Sequence, residues 1–165
     1  DMKLTLIGFG FVGKAVHHTL SKHHDVKVVD PSYNDNNIED DSDGYIVCVP
    51  TPSSRDTSCD MTIVKDVITY CPENKPVLIK STISLEGWRN LQKFGKSLSF
   101  SPEFLVANNA INDFANQQMC HMHNGNETSD SINLLLPLLR ILKPLALLKV
   151  KSNLQFLILY FGLTI

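Results

Sequence analysis

Positive charge is not in excess in this chain. Lys and Arg number 15 against 17 Asp and Glu, a formal net charge of −2, and the pI is near 6.3. That balance leaves no electrostatic footprint for nucleic acid or for an anionic membrane surface. Cysteine is sparse: Cys48, Cys59, Cys71 and Cys120 are the four, and none forms a Cys-x-x-Cys pair. A zinc or thioredoxin-like motif is therefore unsupported. The thiols read as reduced, so a cytoplasmic protein is expected. Long uncharged apolar runs are missing as well. The leucine-rich stretch 132–165 is broken by Arg140, Lys143, Lys149, Lys151, Pro137 and Pro144, and its longest charge-free run is the 14 residues 152–165. A bilayer span needs about 20, so no membrane association is expected. The apolar run before Gly8 is too short for the core of a signal peptide. Asp1 ahead of Met2 points to a fragment boundary.

What is present is globular in character. The chain has 165 residues, 43% apolar and 19% charged, which suits one ordinary domain with a core of its own. Its first half alternates short apolar runs with segments of helical periodicity. Strands are expected at 3–7, 26–29, 45–49, 76–80 and 98–100. Helices are expected at 11–22, at 61–70 with Asp60 as N-cap, and at 85–94 with Ser84 as N-cap. Strands alternating with helices imply βαβ units and a Rossmann-type, doubly wound, mostly parallel α/β sheet. The acidic stretch 34–43 is expected as a solvated loop or short surface helix. Residues 131–142 read as helical, and 145–165 stay open between strand, helix and poor folding.

The sharpest chemical signal is Gly8-Phe9-Gly10-Phe11-Val12-Gly13. It follows an expected strand and opens an expected helix. Gly8 allows a tight turn off the strand, Gly10 lets the backbone approach a pyrophosphate, and Gly13 lets the helix pack closely on the sheet. The N–H groups at Phe11 and Val12, with the positive end of the helix dipole, would meet the phosphates. Asp30 stands 20 residues after Gly10, at the end of the second expected strand. A carboxylate there accepts hydrogen bonds from the adenosine ribose and repels a 2′-phosphate, so NAD is favoured over NADP. The plain alternative is a glycine turn that only packs, with Asp30 a solvated strand end.

Five motifs then occur in order: the glycine loop, Val47–Pro52 (VCVPTP), Cys59–Met61 (CDM), Ile79–Ile83 (IKSTI) and Ser101–Leu105 (SPEFL). Over about residues 2–118 the chain resembles the NAD-binding domain of the UDP-glucose/GDP-mannose dehydrogenase family. Asn109-Ala110 followed by Asp113-Phe114 is similar to that family's continuation. The resemblance implies oxidation of the C6 alcohol of a nucleotide sugar to a carboxylate, with NAD as hydride acceptor and a cysteine capturing the aldehyde stage. It implies that Thr51 lines the nicotinamide side of the pocket, that Thr82 holds an active-site water, and that Glu103 hydrogen-bonds substrate or that water. Each has an ordinary alternative: Thr51 and Thr82 as strand-end residues, Glu103 as a solvated turn.

Three departures accompany the resemblance. Ala107 stands where the family commonly carries a second glutamate, so a hydrogen-bonding or acid–base group is lost. Residues 119–125 (MCHMHNG) fit poorly where the family has a glycine-rich strand end. The family is also much longer, and its sugar-binding domain with the catalytic cysteine is not found here. If residues 159–165 align with the start of the family's central helix, Leu159 and Leu163 replace its lysine and asparagine. The expected organisation is a NAD-binding domain at 1–130 and a leucine-rich segment at 131–165. The expected function is the NAD-binding half of a nucleotide-sugar dehydrogenase, inactive alone. Expected partners are a nucleotide-sugar substrate where a substrate domain is supplied, and a homodimer or partner chain engaged through the C-terminal segment. The alternatives are a non-catalytic NAD-binding module or pseudoenzyme, and a different Rossmann oxidoreductase.

None of the cysteines has the marks of the catalytic thiol. Cys48 reads as a core residue, Cys59 as a loop residue before a helix, Cys71 as a helix-end residue and Cys120 as a strand residue. His17-His18 and His23-His24 do not form an i, i+4 pair on one helix face, and His121 and His123 have no evident third ligand, so no metal site is expected. Trp88 reads as a packing residue.

Overall fold

A computed structural model describes residues 1–53, 59–101, 111–112 and 122–123. The chain enters as β1 (Lys3–Ile7), turns into α1 (Phe11–Leu20) and returns as β2 (Asp25–Val29). It then forms β3 (Gly44–Val47), α2 (Thr62–Tyr70), β4 (Val77–Ile79) and α3 (Leu85–Leu91). A 3-10 turn at Gln92–Phe94 leads into β5 (Leu98–Phe100), and Met122–His123 forms β6.

The sheet order is β2-β1-β3-β4-β5-β6. The first five strands are parallel, and β6 is antiparallel to β5. This is the expected Rossmann-type, mostly parallel sheet. Its central strands β3, β4 and β5 are buried along their whole length, as a sheet covered on both faces requires. Leu4, Leu6, Val28 and Ile46 pack with Ala15, Val16 and Leu20 of α1. Tyr45, Val47, Val77, Ile79, Leu98 and Phe100 pack with Val64 and Ile68 of α2 and with Trp88 and Leu91 of α3. Helices therefore cover opposite faces, and the chain reverses its direction of winding between β1 and β3. In such sheets a ligand crevice forms at that reversal, beyond the carboxyl ends of the strands.

The starts of α2 and α3 each have a side-chain oxygen that accepts a backbone N–H. Ser84 Oγ accepts the N–H of Gly87 at 3.0 Å, and α3 starts at Leu85 as expected. The first residue of α2 is Thr62 rather than Met61, and Met61 occupies the cap position. Asp60 still serves that helix start, since its Oδ1 accepts the N–H of Thr62 at 2.9 Å. A side-chain hydrogen bond from Thr62, and after it this backbone bond, lowers the pKa of the Asp60 carboxyl. α1 ends at Leu20, short of the expected Lys22, because the Leu20 carbonyl takes the N–H groups of His23 and His24 at 3.0 and 2.9 Å. The helix after Ser84 tightens to 3-10 geometry at Gln92, and Gly95 ends it in the left-handed region at φ 66°.

The acidic stretch forms the expected solvated loop rather than a surface helix, exposed at most positions and tied to the sheet at several points. Asn34 and Asn36 both donate to the Val28 carbonyl, at 3.1 and 2.8 Å. Glu39 pairs with Lys27 at 2.7 Å, and Asp41 pairs with Lys3. Tyr45 donates its hydroxyl to the Glu39 carbonyl. Ser42 is fully buried against the Thr5 hydroxyl at 2.7 Å, so two polar groups in the core satisfy each other.

Trp88 is a packing residue, 2% exposed and stacked on Phe100. Among the described residues no helix is long and apolar enough to cross a membrane. The expectations for 131–142, 145–165, Cys120, His121, Leu159 and Leu163 lie outside the described residues.

Candidate functional site

β1 leaves the sheet through Gly8, which lies in the left-handed region at φ 95°. A side chain there would be strained by its backbone, and its Cβ would also sit 2.6 Å from the Cys48 carbonyl oxygen. Gly13 makes a closer approach still. A Cβ at Gly13 would fall 2.1 Å from the Gly8 carbonyl oxygen, so α1 can lie on the turn only because that position has no side chain. Gly10 differs from both. A Cβ built at Gly10 meets no protein atom within 4 Å, so the protein itself makes no steric demand for glycine there. The open space leaves room for a group as large as a pyrophosphate to come close to the main chain.

The strand ends around this turn are knitted together. Gly8 donates its N–H to the Val29 carbonyl at 2.9 Å, and Cys48 donates to the Ile7 carbonyl at 2.7 Å. Beyond them lies a cavity of about 1010 Å³ lined by the carboxyl ends of β1, β2, β3 and β4. Gly8, Gly10, Phe11, Val12, Asp30, Thr51 and Thr82 all line it. Gly13 does not, since it sits behind the turn against Gly8. Glu103 and Ala107 lie outside the described residues.

α1 opens toward the cavity with Gly10 as N-cap, no side-chain cap and no acidic residue in its first turn. The helix's own first turn therefore supplies no carboxylate to its first N–H groups or to the positive end of its dipole. Asp30 sits beside them at the end of β2. Its Oδ2 accepts the Phe9 N–H at 2.6 Å and its Oδ1 accepts the Ser32 N–H at 2.8 Å. These bonds hold the carboxylate at the cavity wall. Phe9 is fixed further by its ring, which lies 4.5 Å from Tyr33 and 5.5 Å edge-on from His17.

At the other end, Thr51 donates its hydroxyl to the Thr82 carbonyl at 2.6 Å. The two threonines, 31 positions apart, are thus brought together on the loops after β3 and β4. Nearby is the ammonium of Lys80, a residue of the IKSTI motif to which the sequence alone assigns no role. It is 2% exposed, lines the same cavity, and donates to Ser101 Oγ at 3.1 Å. Burial pushes its pKa from 10.5 down to about 7, with the Cys48 side chain pulling weakly the other way. The available signal was a lysine ending the apolar run Val77-Leu78-Ile79, a position that reads equally as a strand leaving the core.

Two of the cysteines, Cys48 and Cys71, are poor nucleophiles. Burial raises Cys48 and Cys71 to about 12, so neither supplies a thiolate near neutrality. Cys59 is half-buried in the loop before α2. Among the described residues no group of three or more His, Cys, Asp or Glu is placed to hold a metal ion.

Residues 31–138 match the family model described as UDP-glucose/GDP-mannose dehydrogenase family, NAD binding domain. The glycine turn lies before that range, so the match and the turn are separate observations. No curated protein matches the chain. Among solved structures, GDP-mannose dehydrogenase from Pseudomonas aeruginosa is 18% identical with a TM-score of 0.67, over 84% of this chain and 44% of that one. UDP-N-acetyl-mannosamine dehydrogenase from S. aureus is 18% identical with a TM-score of 0.68, over 85% and 44%. UDP-glucose dehydrogenase from Pyrobaculum islandicum is 19% identical with a TM-score of 0.65, over 86% and 44%. At these identities the likeness is one of fold, and the matched region spans less than half of each relative's length.

Proposed function

Because the chain belongs to the UDP-glucose/GDP-mannose dehydrogenase family and carries its NAD-binding domain, we propose that it is the cofactor-holding half of a nucleotide-sugar dehydrogenase. The reaction is oxidation of the sugar's C6 alcohol to a carboxylate. The observation that carries this reading is the glycine turn at the β1/β3 reversal, with open space at Gly10 and Asp30 on the same cavity wall.

Bound NAD supplies the hydride acceptor, and the oxidation to the acid requires two NAD in turn. The chain's residues bind and orient. The N–H groups at Phe11 and Val12 face the phosphates, and Asp30 accepts the ribose hydroxyls. The Thr51–Thr82 pair shapes the nicotinamide end, with Thr82 holding a water there. Glu103 completes that end by hydrogen-bonding substrate or the same water. The buried, protonated thiols of Cys48 and Cys71 are unsuited to capturing the aldehyde. The resemblance to the family assigns the cysteine that forms the thioester to a substrate domain.

The domain division follows the same logic, with the NAD-binding domain at 1–130 and 131–165 leading toward a partner. The test is NADH stoichiometry. Combined with a family substrate domain, the chain is expected to form two NADH per UDP-glucose or GDP-mannose oxidised, and none alone. One NADH per sugar would contradict oxidation to the acid. Turnover by the chain alone would contradict a thiol supplied from outside.

A second reading, a non-catalytic NAD-binding module, is favoured by Ala107, where the family commonly has a glutamate. NAD binding without turnover under any combination with a substrate domain would select it.

A further inference from the structure

Building on the NAD-binding reading above, we propose that Lys14 is the phosphate-gripping side chain of this pocket and takes the adenosine-side phosphate of the dinucleotide. Lys14 lies one turn into α1, where its N–H donates to the Gly10 carbonyl at 2.9 Å. Its side chain is exposed and lines the cavity. Its Nζ stands 5.9 Å from the centroid of the Phe9 ring. Lys3 and Lys27 are paired with Asp41 and Glu39, whereas Lys14 makes no ion pair among the described residues.

Phe9 connects this cation to the ribose site. Its ring carries the Lys14 ammonium, and its backbone N–H is held by Asp30 at 2.6 Å. A ribose on the Asp30 carboxylate puts its 5′-phosphate toward the glycine turn, on the side where Lys14 stands. A lysine ammonium is a compact point charge on a flexible stem, suited to a phosphate oxygen. An exposed cation–π contact is weak, so the ammonium can exchange the ring face for the anion. The first turn of α1 has no acidic residue to compete for it. The other cavity-lining ammonium described, Lys80, is buried at the opposite end with Ser101, which leaves Lys14 as the flexible cation at the adenosine end.

The experiment is calorimetric titration of the wild type, K14Q and K14R with NAD, ADP and adenosine at low and high salt. K14Q is expected to weaken NAD and ADP about fivefold, the weight of an exposed charge pair. Adenosine, which has no phosphate, is expected to bind both proteins equally, and K14R to retain the wild-type affinities. Part of the salt dependence of NAD binding should disappear in K14Q. NAD and ADP bound by K14Q as tightly as by the wild type would overturn the role of Lys14 and leave the NAD reading standing. Equal weakening of all three ligands would also overturn it, as it would mean a disturbed turn. Absence of NAD binding to the folded wild type would overturn the NAD reading itself.

Discussion

The Asp30 carboxylate accepts the Phe9 N–H at 2.6 Å, tying the end of β2 to the glycine turn 21 positions earlier. One side chain therefore both shapes the turn and presents a negative charge to whatever sits on it. Substitutions at Asp30 can separate these roles. Asp30→Asn keeps an oxygen acceptor for Phe9 but removes the charge, so it is expected to narrow the gap between NAD and NADP. Asp30→Ala removes both and is expected to weaken NAD about tenfold or more and to lower Tm, given that lost hydrogen bonds to charged groups cost about 1.5–3 kcal/mol. Affinities for the two dinucleotides and a melting curve for each variant check this. An Asp30→Asn protein as selective as the wild type would count against a charge-based choice.

Gly10 and Gly13 should respond in opposite ways. Gly13→Ala forces a Cβ to 2.1 Å from the Gly8 carbonyl oxygen. It is expected to destabilise the fold by about 2 kcal/mol or more, through overpacking against main chain. Gly10→Ala meets no protein atom within 4 Å. Its stability cost should stay under about 1 kcal/mol, the range of N-cap substitutions, while NAD affinity falls. Urea unfolding and NAD titration of both variants decide it. A Gly10→Ala protein that binds NAD normally would show that no ligand lies against that backbone.

Lys80 makes stability depend on pH with a defined sign. Its folded pKa is lowered to about 7 from 10.5, so above pH 7 the unfolded chain holds a proton there that the folded chain does not. Stability should rise as pH climbs from 7 toward 9, by on the order of 1 kcal/mol per pH unit. Higher still, Cys48 and Cys71, raised from 9.0 to about 12, oppose it, because the unfolded chain then loses thiol protons that the folded chain keeps. Lys80→Met should flatten the rise. Denaturant midpoints at pH 7, 8 and 9 measure it, and an unchanged slope in the variant would remove Lys80 as its source.

Lys96 closes the other end of α2. It is 6% exposed, and its Nζ donates to the carbonyls of Ile68, at 2.7 Å, and of Thr69 and Cys71. A cation there satisfies the last carbonyls of the helix and complements the negative end of its dipole. Lys96→Met is expected to cost about 1–3 kcal/mol, the penalty for leaving buried acceptors unpaired. A melting curve unchanged from the wild type would contradict this.

Much of the fold was legible because β1, α1, β2 and the turn between them follow short-range rules: apolar runs, helical spacing and glycines with separate tasks. Leu98–Phe100 matches its expected strand without change. The family was legible because its motifs sit at strand ends, where chemistry restricts residue type. Element ends were less legible. α1 stops at Leu20 because of backbone bonds from His23 and His24 to one carbonyl, and no side chain announces those bonds. β6 is only two residues, defined by pairing with β5 rather than by its own periodicity. The acidic stretch was legible as a solvated loop, but not its ion pairs, because Lys3 and Lys27 stand 38 and 12 positions away from their partners. Lys80 was hidden for a related reason: burial comes from neighbours that the chain brings in from β3 and β5.

The most direct test of the cofactor half is calorimetric titration of the 165-residue chain with NAD and then with NADP. A saturable one-site isotherm for NAD, with NADP at least about tenfold weaker from like-charge repulsion at Asp30, is the expected result. A folded sample that takes up neither dinucleotide, or binds NADP as well as NAD, would contradict the assignment of the glycine turn and Asp30 as a working NAD site.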